Sequence, residues 1–190
     1  MKDILINAAL KQASQLGIHN LSMGPLAKSA NIAVGNFYYH YKSKQELLDH
    51  VYIFCRQQFG KAIKSPKKEG KLSYKDQFTK IMERVYLHYH SNLDHYTFLR
   101  DAEAGGAISN DAFMVGEAEF RRLKEFLQRG IAENYLRTIN PDLALQLFNQ
   151  SIAALINQEI QNGQTAVSAD ISDAIRFAWR GLKQKNKKQD

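Results

Sequence analysis

An all-α chain is predicted, with a three-helix N-terminal domain ahead of a six-helix bundle, and three observations predict it. Apolar residues recur at three- and four-residue intervals along most of the 190 residues, which is the repeat of one helix face. No segment alternates apolar and polar residues as a half-buried strand does. Helix punctuation at Gly17, Ser43, Asn140-Pro141 and Gly163 falls where the periodic runs begin or end. A hydrophobic content of 44% suffices for a sizeable core. The boundaries expected are 1–46 for the small first domain and 47–190 for the larger second one.

Residues 2–16 bring Ile4, Leu5, Ala8, Ala9, Gln12 and Leu16 to helical spacing, and Gly17 before Ile18 has the form of a glycine C-cap backed by an apolar residue. Ser22 is the N-cap of a short second helix whose first turn tolerates Pro25, because the missing N–H would have no intrahelical partner there. Leu26, Ala27 and Ala30 carry that helix. Asn31 then stands where a tight turn needs a left-handed residue, a conformation asparagine adopts at less cost than most side chains. A third helix follows, with Phe37 and Tyr41 four apart on its inward face. Ser43 and Glu46 form a capping box for a long fourth helix, with Leu47, Leu48, Val51, Phe54 and Phe59 as its apolar positions.

Residues 64–75 hold five lysines with one glutamate, a proline and a glycine, the composition of an exposed loop. From Tyr74 to His90, Phe78, Met82, Val85, Tyr86 and Tyr89 form one helical stripe. A short helix near 96–103 closes at Gly105-Gly106. A long one opens at Asn110 or Asp111 and reaches Arg137. Pro141 starts the next at its first position, and Ser168 begins the last, which runs through Ile171, Ile175, Ala178, Trp179 and Leu182 into a basic tail. Nine helices are expected.

The stretch 21–48 reads as a helix-turn-helix, the arrangement that lays a short helix in the major groove of DNA. Val34 and Asn36, near the start of that helix, are placed to meet base edges. Tyr38, His40, Lys42 and Lys44 bring a hydroxyl, a ring N–H and two ammonium groups suited to backbone phosphates. Ser22, Gly35 and Tyr39 complete the face. A net charge of +7 agrees with a polyanionic partner without identifying one.

Ile4 with Ala8-Ala9-Leu10, then Gly17-Ile18, Leu26-Ala27 and above all Gly35-x-Phe37-Tyr38-x-His40-Tyr41-x-Ser43-Lys44-x-x-Leu47-Leu48 resemble the DNA-binding domain of TetR/AcrR-type transcriptional regulators. The resemblance covers roughly the first quarter of the chain. Two residues depart from the family pattern: Asn31 stands where glycine is usual, and Ala33 where serine or threonine caps the recognition helix and often touches a phosphate. Alanine does neither, at a cost of ~1 kcal/mol in capping.

The resemblance implies a ligand-responsive homodimer, a repressor released from a palindromic operator by a small molecule. It also implies a fourth helix that transmits ligand binding to the DNA-binding heads. An apolar or aromatic effector would then be received by Met82, Tyr86, Tyr89, Phe98 and Phe120, although simple core packing accounts for the same stripe. The dimer would form through the last two helices, the first of which carries Leu145, Phe148, Ile152, Leu155 and Glu159 at three-four spacing. Those residues serve equally to complete the monomer's core. The alternative function is an architectural or division-control DNA-binding protein of the same fold without an inducer.

Other classes are disfavoured by what is missing. No nucleophile–base pair, glycine-rich phosphate loop or metal-ligand spacing points to an enzyme, and no cofactor is expected. His88 and His90 lie two apart on a helix and face different ways, so with His95 and Asp94 they do not chelate from one face. Cys55, the single cysteine, reads as a small core residue. No apolar run has the length of a membrane span, and the first residues lack a signal-peptide pattern, so a cytoplasmic protein is expected.

Overall fold

The computed structural model describes residues 1–64 and 72–185. The middle of the expected lysine-rich loop, 65–71, and the last residues of the basic tail, 186–190, lie outside the described residues. Ten α-helices are present among those described: α1 Lys2–Leu16, α2 Met23–Ser29, α3 Val34–His40, α4 Lys44–Ala62, α5 Tyr74–Ser91, α6 Leu93–Ala104, α7 Asn110–Glu117, α8 Arg121–Ala132, α9 Pro141–Asn162 and α10 Ser168–Leu182. The only β pairing among the described residues is an isolated bridge between Leu136 and Lys183. The helices fall into two compact units, residues 1–59 with 92–119, and 60–91 with 120 onward.

In the first unit, α1 buries Leu5, Ile6, Ala9, Leu10 and Ala13. This corrects the expected face by one position: Ile4 and Leu16 are half exposed, because the buried stripe follows the 5, 6, 9, 10, 13 repeat. Gly17 closes the helix at φ 81 with its N–H on the Ala13 carbonyl, and Ile18 behind it is buried. The C-terminus of α2 is a Schellman motif, in which Ile32 N–H donates to Ala27 O at 3.0 Å and Asn31 N–H to Lys28 O at 3.1 Å. Asn31 holds φ 53 there, the left-handed conformation the turn requires. Ser22 and Ala33 occupy the N-cap positions of α2 and α3, and neither side chain caps its helix. At α4, Ser43 Oγ accepts from Glu46 N–H at 3.1 Å, while the Glu46 carboxylate reaches back to Lys42 N–H at 2.7 Å.

Deeper in this unit α4 buries Leu47, Val51, Tyr52, Cys55 and Phe59. Burial pushes the Cys55 thiol well above its ordinary range, which keeps it protonated and unreactive. Arg56 is also buried, and its guanidinium pairs with Glu103 of α6 while Nε donates to the Tyr52 hydroxyl at 3.1 Å. Tyr52 in turn donates to Glu103 at 3.0 Å. A buried cation is tolerated only with such partners.

The single long helix expected over 110–137 is interrupted. Helix α7 ends at Glu117, a 3-10 turn spans Ala118–Phe120, and α8 stops at Ala132 before Asn134 at φ 60. Gly116 lies so close to Tyr52 and Arg56 that any Cβ would overlap them, so α7 is fixed by a near approach and not by a continuous apolar stripe. Phe113, Met114 and Val115 of α7 are correspondingly exposed.

The second unit centres on α5, whose Phe78, Met82, Val85 and Tyr86 are buried. Tyr74 stacks between Phe126 at 4.5 Å and Tyr135 at 4.8 Å, and its hydroxyl donates to Phe126 O at 3.0 Å. Asn140 caps α9 by accepting from Asp142 N–H at 2.8 Å, and Gly163 ends it at φ 65. The α9 stripe that the sequence offered as an interface faces inward: Phe148, Ile152, Leu155 and Glu159 are buried among α5, α8 and α10. The apolar side chains that α9 and α10 leave exposed are different ones, Leu143, Leu147 and Phe177 among them.

Candidate nucleic-acid interface

Helix α3 is seven residues long and is anchored by its underside. Phe37 and Tyr41 are buried, at 0% and 1% exposure, and their rings lie 5.9 Å apart. The Tyr41 hydroxyl donates to His50 Nδ1 on α4 at 2.6 Å. Burial, then the carboxylates of Glu46 and Asp3, push the Tyr41 hydroxyl up to about 12, so it remains a donor. Burial, then the Lys2 ammonium, push the His50 imidazole down, and the neutral ring is the form that accepts. These contacts hold α3 firmly while using none of its outer face.

That outer face is exposed along its length. Val34 is 46%, Tyr38 51% and Tyr39 85% exposed, and Gly35 and Asn36 are exposed beside them. A tyrosine 85% exposed contributes little to the core of this unit. His40 is half buried, with Tyr39 edge-on to its ring at 5.2 Å. Ser22 and Lys42 are exposed at the ends of α2 and α3. From Ile4 to Gln45 the chain has Lys11, Lys28, Lys42 and Lys44 and no carboxylate. This absence of acids leaves the segment with a net positive charge.

Lys44, expected to meet a phosphate, also has a partner inside the first unit. Its Nζ donates to the His19 carbonyl at 2.8 Å, tying the start of α4 to the turn after α1 and leaving two N–H donors for another acceptor. Lys28, exposed on α2, was missed by motif reasoning, and the acid-free run around it was the available signal.

The residues expected to receive an effector divide between the units. Met82, Tyr86, Tyr89 and Phe120 belong to the second and Phe98 to the first. Met82, Tyr86, Phe98 and Phe120 are buried and Tyr89 is half buried. The stripe also contains a polar cluster the sequence did not disclose. Tyr86 donates to Glu159 Oε1 at 2.6 Å, His90 Nδ1 lies 2.8 Å from Oε2, and Ala166 N–H donates to Oε1 at 2.9 Å. Burial alone would raise the Glu159 carboxyl, but the bonds from His90, Tyr86 and Ala166 outweigh it and hold the group below the usual carboxylate range. A charged residue within an otherwise apolar stripe was the clue to it.

Among the described residues no group of three or more His, Cys, Asp or Glu side chains is placed to hold a metal ion. No described helix is long and apolar enough to cross a membrane. Asp101 pairs with Arg100 at 2.8 Å.

Residues 5–51 match the family model described as bacterial regulatory proteins, tetR family. Similar solved structures include a TetR family transcription regulator from Marinobacter aquaeolei, with TM-score 0.87, 15% identity, and coverage of 97% of this chain and 96% of that one. A putative TetR family transcription regulator from a Shewanella species gives TM-score 0.79 at 16% identity, covering 97% of this chain and 98% of that one. The flavonoid-responsive regulator FrrA gives 0.63 at 21%, covering 96% of each chain. No curated protein sequence matches the chain.

Proposed function

We propose that this chain, whose residues 5–51 match the tetR family model and whose fold is that of TetR family regulators, is a homodimeric repressor that grips a palindromic DNA operator and lets go when a small molecule binds. One observation carries the DNA-binding half of this reading: α3 offers Val34, Gly35, Asn36, Tyr38 and Tyr39 outward from a buried Phe37 and Tyr41. A helix held this way fits the major groove, with Val34 and Asn36 toward base edges. Ser22, Tyr38, Tyr39, His40, Lys42 and Lys44 supply hydroxyl, imidazole and ammonium contacts to the phosphates.

Residues 1–46 are proposed as the DNA-binding domain and 47–190 as the effector and dimerisation domain. Leu143, Leu147 and Phe177, exposed on α9 and α10, support dimerisation through these last two helices. A twofold pair would set two α3 helices about one turn of B-DNA apart, ~34–36 Å. The effector is proposed to be apolar or aromatic and to engage Met82, Tyr86, Tyr89 and Phe120 of the second unit. FrrA, a structural relative, is described as responding to flavonoids, which are aromatic. Release then equals the effector's differential affinity for the two states of the protein.

A second reading has its own support. Met82 and Phe120 are packed, and the Tyr86 hydroxyl is already satisfied by Glu159, which favours a DNA-binding protein of this fold without an inducer. Selection of bound sequences from random duplex DNA, repeated with aromatic candidates present, decides between them. The repressor reading expects a palindrome and a candidate that abolishes its capture. Equal retention of unrelated duplexes would overturn it in favour of the second.

A further inference from the structure

The second unit has a groove that the proposed regulatory function does not use. It opens between α5 and α10, has a volume of about 450 Å³, and lies on a different face of α5 from Met82 and Tyr86. That volume is in the range of sites that take small organic molecules, roughly 300–1,000 Å³.

Its lining is cationic around an apolar floor. Lys75 comes from α5, and Arg176, Arg180 and Lys183 come from successive turns of α10 and its end. One carboxylate, Glu83, also lines the groove and pairs with Lys80 at 2.9 Å, while Asp173 on α10 pairs with Arg176 at 2.5 Å. Among the described residues no carboxylate pairs with Lys75, Arg180 or Lys183. The floor is Trp179 with Ile175. The Trp179 indole is set in place by Phe78, edge-on at 5.3 Å, and by Tyr74 at 6.3 Å, so its orientation is fixed before anything binds.

We propose that this groove binds a small aromatic carboxylate, its flat body against Trp179 and Ile175 and its anionic head among Lys75, Arg180 and Lys183. An indole face prefers another aromatic ring, and rim cations with no carboxylate partner among the described residues favour a carboxylate through charge-assisted hydrogen bonds. Such a ligand bridges α5 to α10. The site does not depend on whether α3 binds DNA.

Trp179 is the single tryptophan of the chain. Its indole N–H therefore gives one resonance in a nitrogen-15 proton spectrum, and the full chain is titrated with 2-naphthoate while that resonance is followed. A saturable displacement is expected, weakened about tenfold or more when the neutral 2-naphthamide replaces the acid, and similarly in the double variant Arg180→Gln, Lys183→Gln. Lys75→Gln, at an exposed position, provides the same comparison should the double variant fail to fold. Equal affinity for acid and amide would overturn the proposal, as would no displacement at millimolar naphthoate. Displacement by a duplex oligonucleotide with none by naphthoate would also overturn it, assigning the rim to DNA phosphates instead.

Discussion

The Tyr86 hydroxyl donates to Glu159 Oε1 at 2.6 Å, joining α5 to α9 through a carboxylate only 5% exposed. The other oxygen faces His90 Nδ1 at 2.8 Å, and the backbone N–H of Ala166 completes the set. Because the folded carboxyl titrates below its unfolded value, its contribution is present above the ordinary carboxylate range near pH ~4.3 and is lost as pH falls through the folded value. Glu159→Gln is expected to lower stability at pH 7 by about 1–3 kcal/mol and to flatten the acid limb of the stability curve. Urea melts between pH 7 and pH 3 measure both; an acid limb unchanged in the variant would contradict the assignment.

Gly130 of α8 faces the Tyr74 phenol so closely that an added Cβ would overlap the ring and would also lie 3.0 Å from Leu136 Cγ. Tyr74 has no easy retreat, being stacked between Phe126 and Tyr135 and bonded to Phe126 O. Gly130→Ala is therefore expected to destabilise by about 1–3 kcal/mol despite alanine's better helix propensity. A thermal midpoint equal to or above the parent's would show that the stack yields.

Asn31 at φ 53 is a left-handed cap supplied by a side chain other than glycine. Asn31→Gly is expected to keep or raise the stability of the first unit, whereas Asn31→Val should lower it by about 1–2 kcal/mol, the cost of forcing a β-branched residue into that region. Melting of the two variants followed by circular dichroism tests the order, and equal midpoints would remove the conformational explanation of the turn.

Phe177 is 77% exposed on α10. Phe177→Glu is expected to leave the helical content intact and to weaken self-association by at least about 2 kcal/mol, roughly thirtyfold in dissociation constant. Sedimentation equilibrium reads this directly. An unchanged dimer would place the interface elsewhere, and a monomeric parent would remove it.

Much of this was legible in the chain itself, and the reasons are local. Asn31, Asn140-Pro141 and Gly163 announce their turns because backbone geometry restricts which residues serve there. Phe37 and Tyr41 announce the underside of α3 by spacing alone. Long-range packing left no such mark. The break between α7 and α8 comes just after the near approach of Gly116 to Tyr52 and Arg56, residues sixty positions or so earlier. The α9 stripe through Phe148 and Ile152 has the same periodicity whether it meets its own core or a second chain, so spacing did not reveal which side Leu143 and Leu147 would occupy. Glu159 shows the same limit, since its partners Tyr86 and His90 are about seventy residues away.

Gly35 offers the most direct test of α3 as the DNA-reading helix, because a Cβ there meets nothing within 4 Å and the substitution leaves the core untouched. Fluorescence anisotropy with the selected operator should find Gly35→Ala close to the parent. Gly35→Glu, with an unchanged circular dichroism spectrum, should bind about a hundredfold more weakly, since a carboxylate facing the phosphates costs several kcal/mol. Undiminished affinity in a folded Gly35→Glu protein would contradict the claim that this face meets DNA.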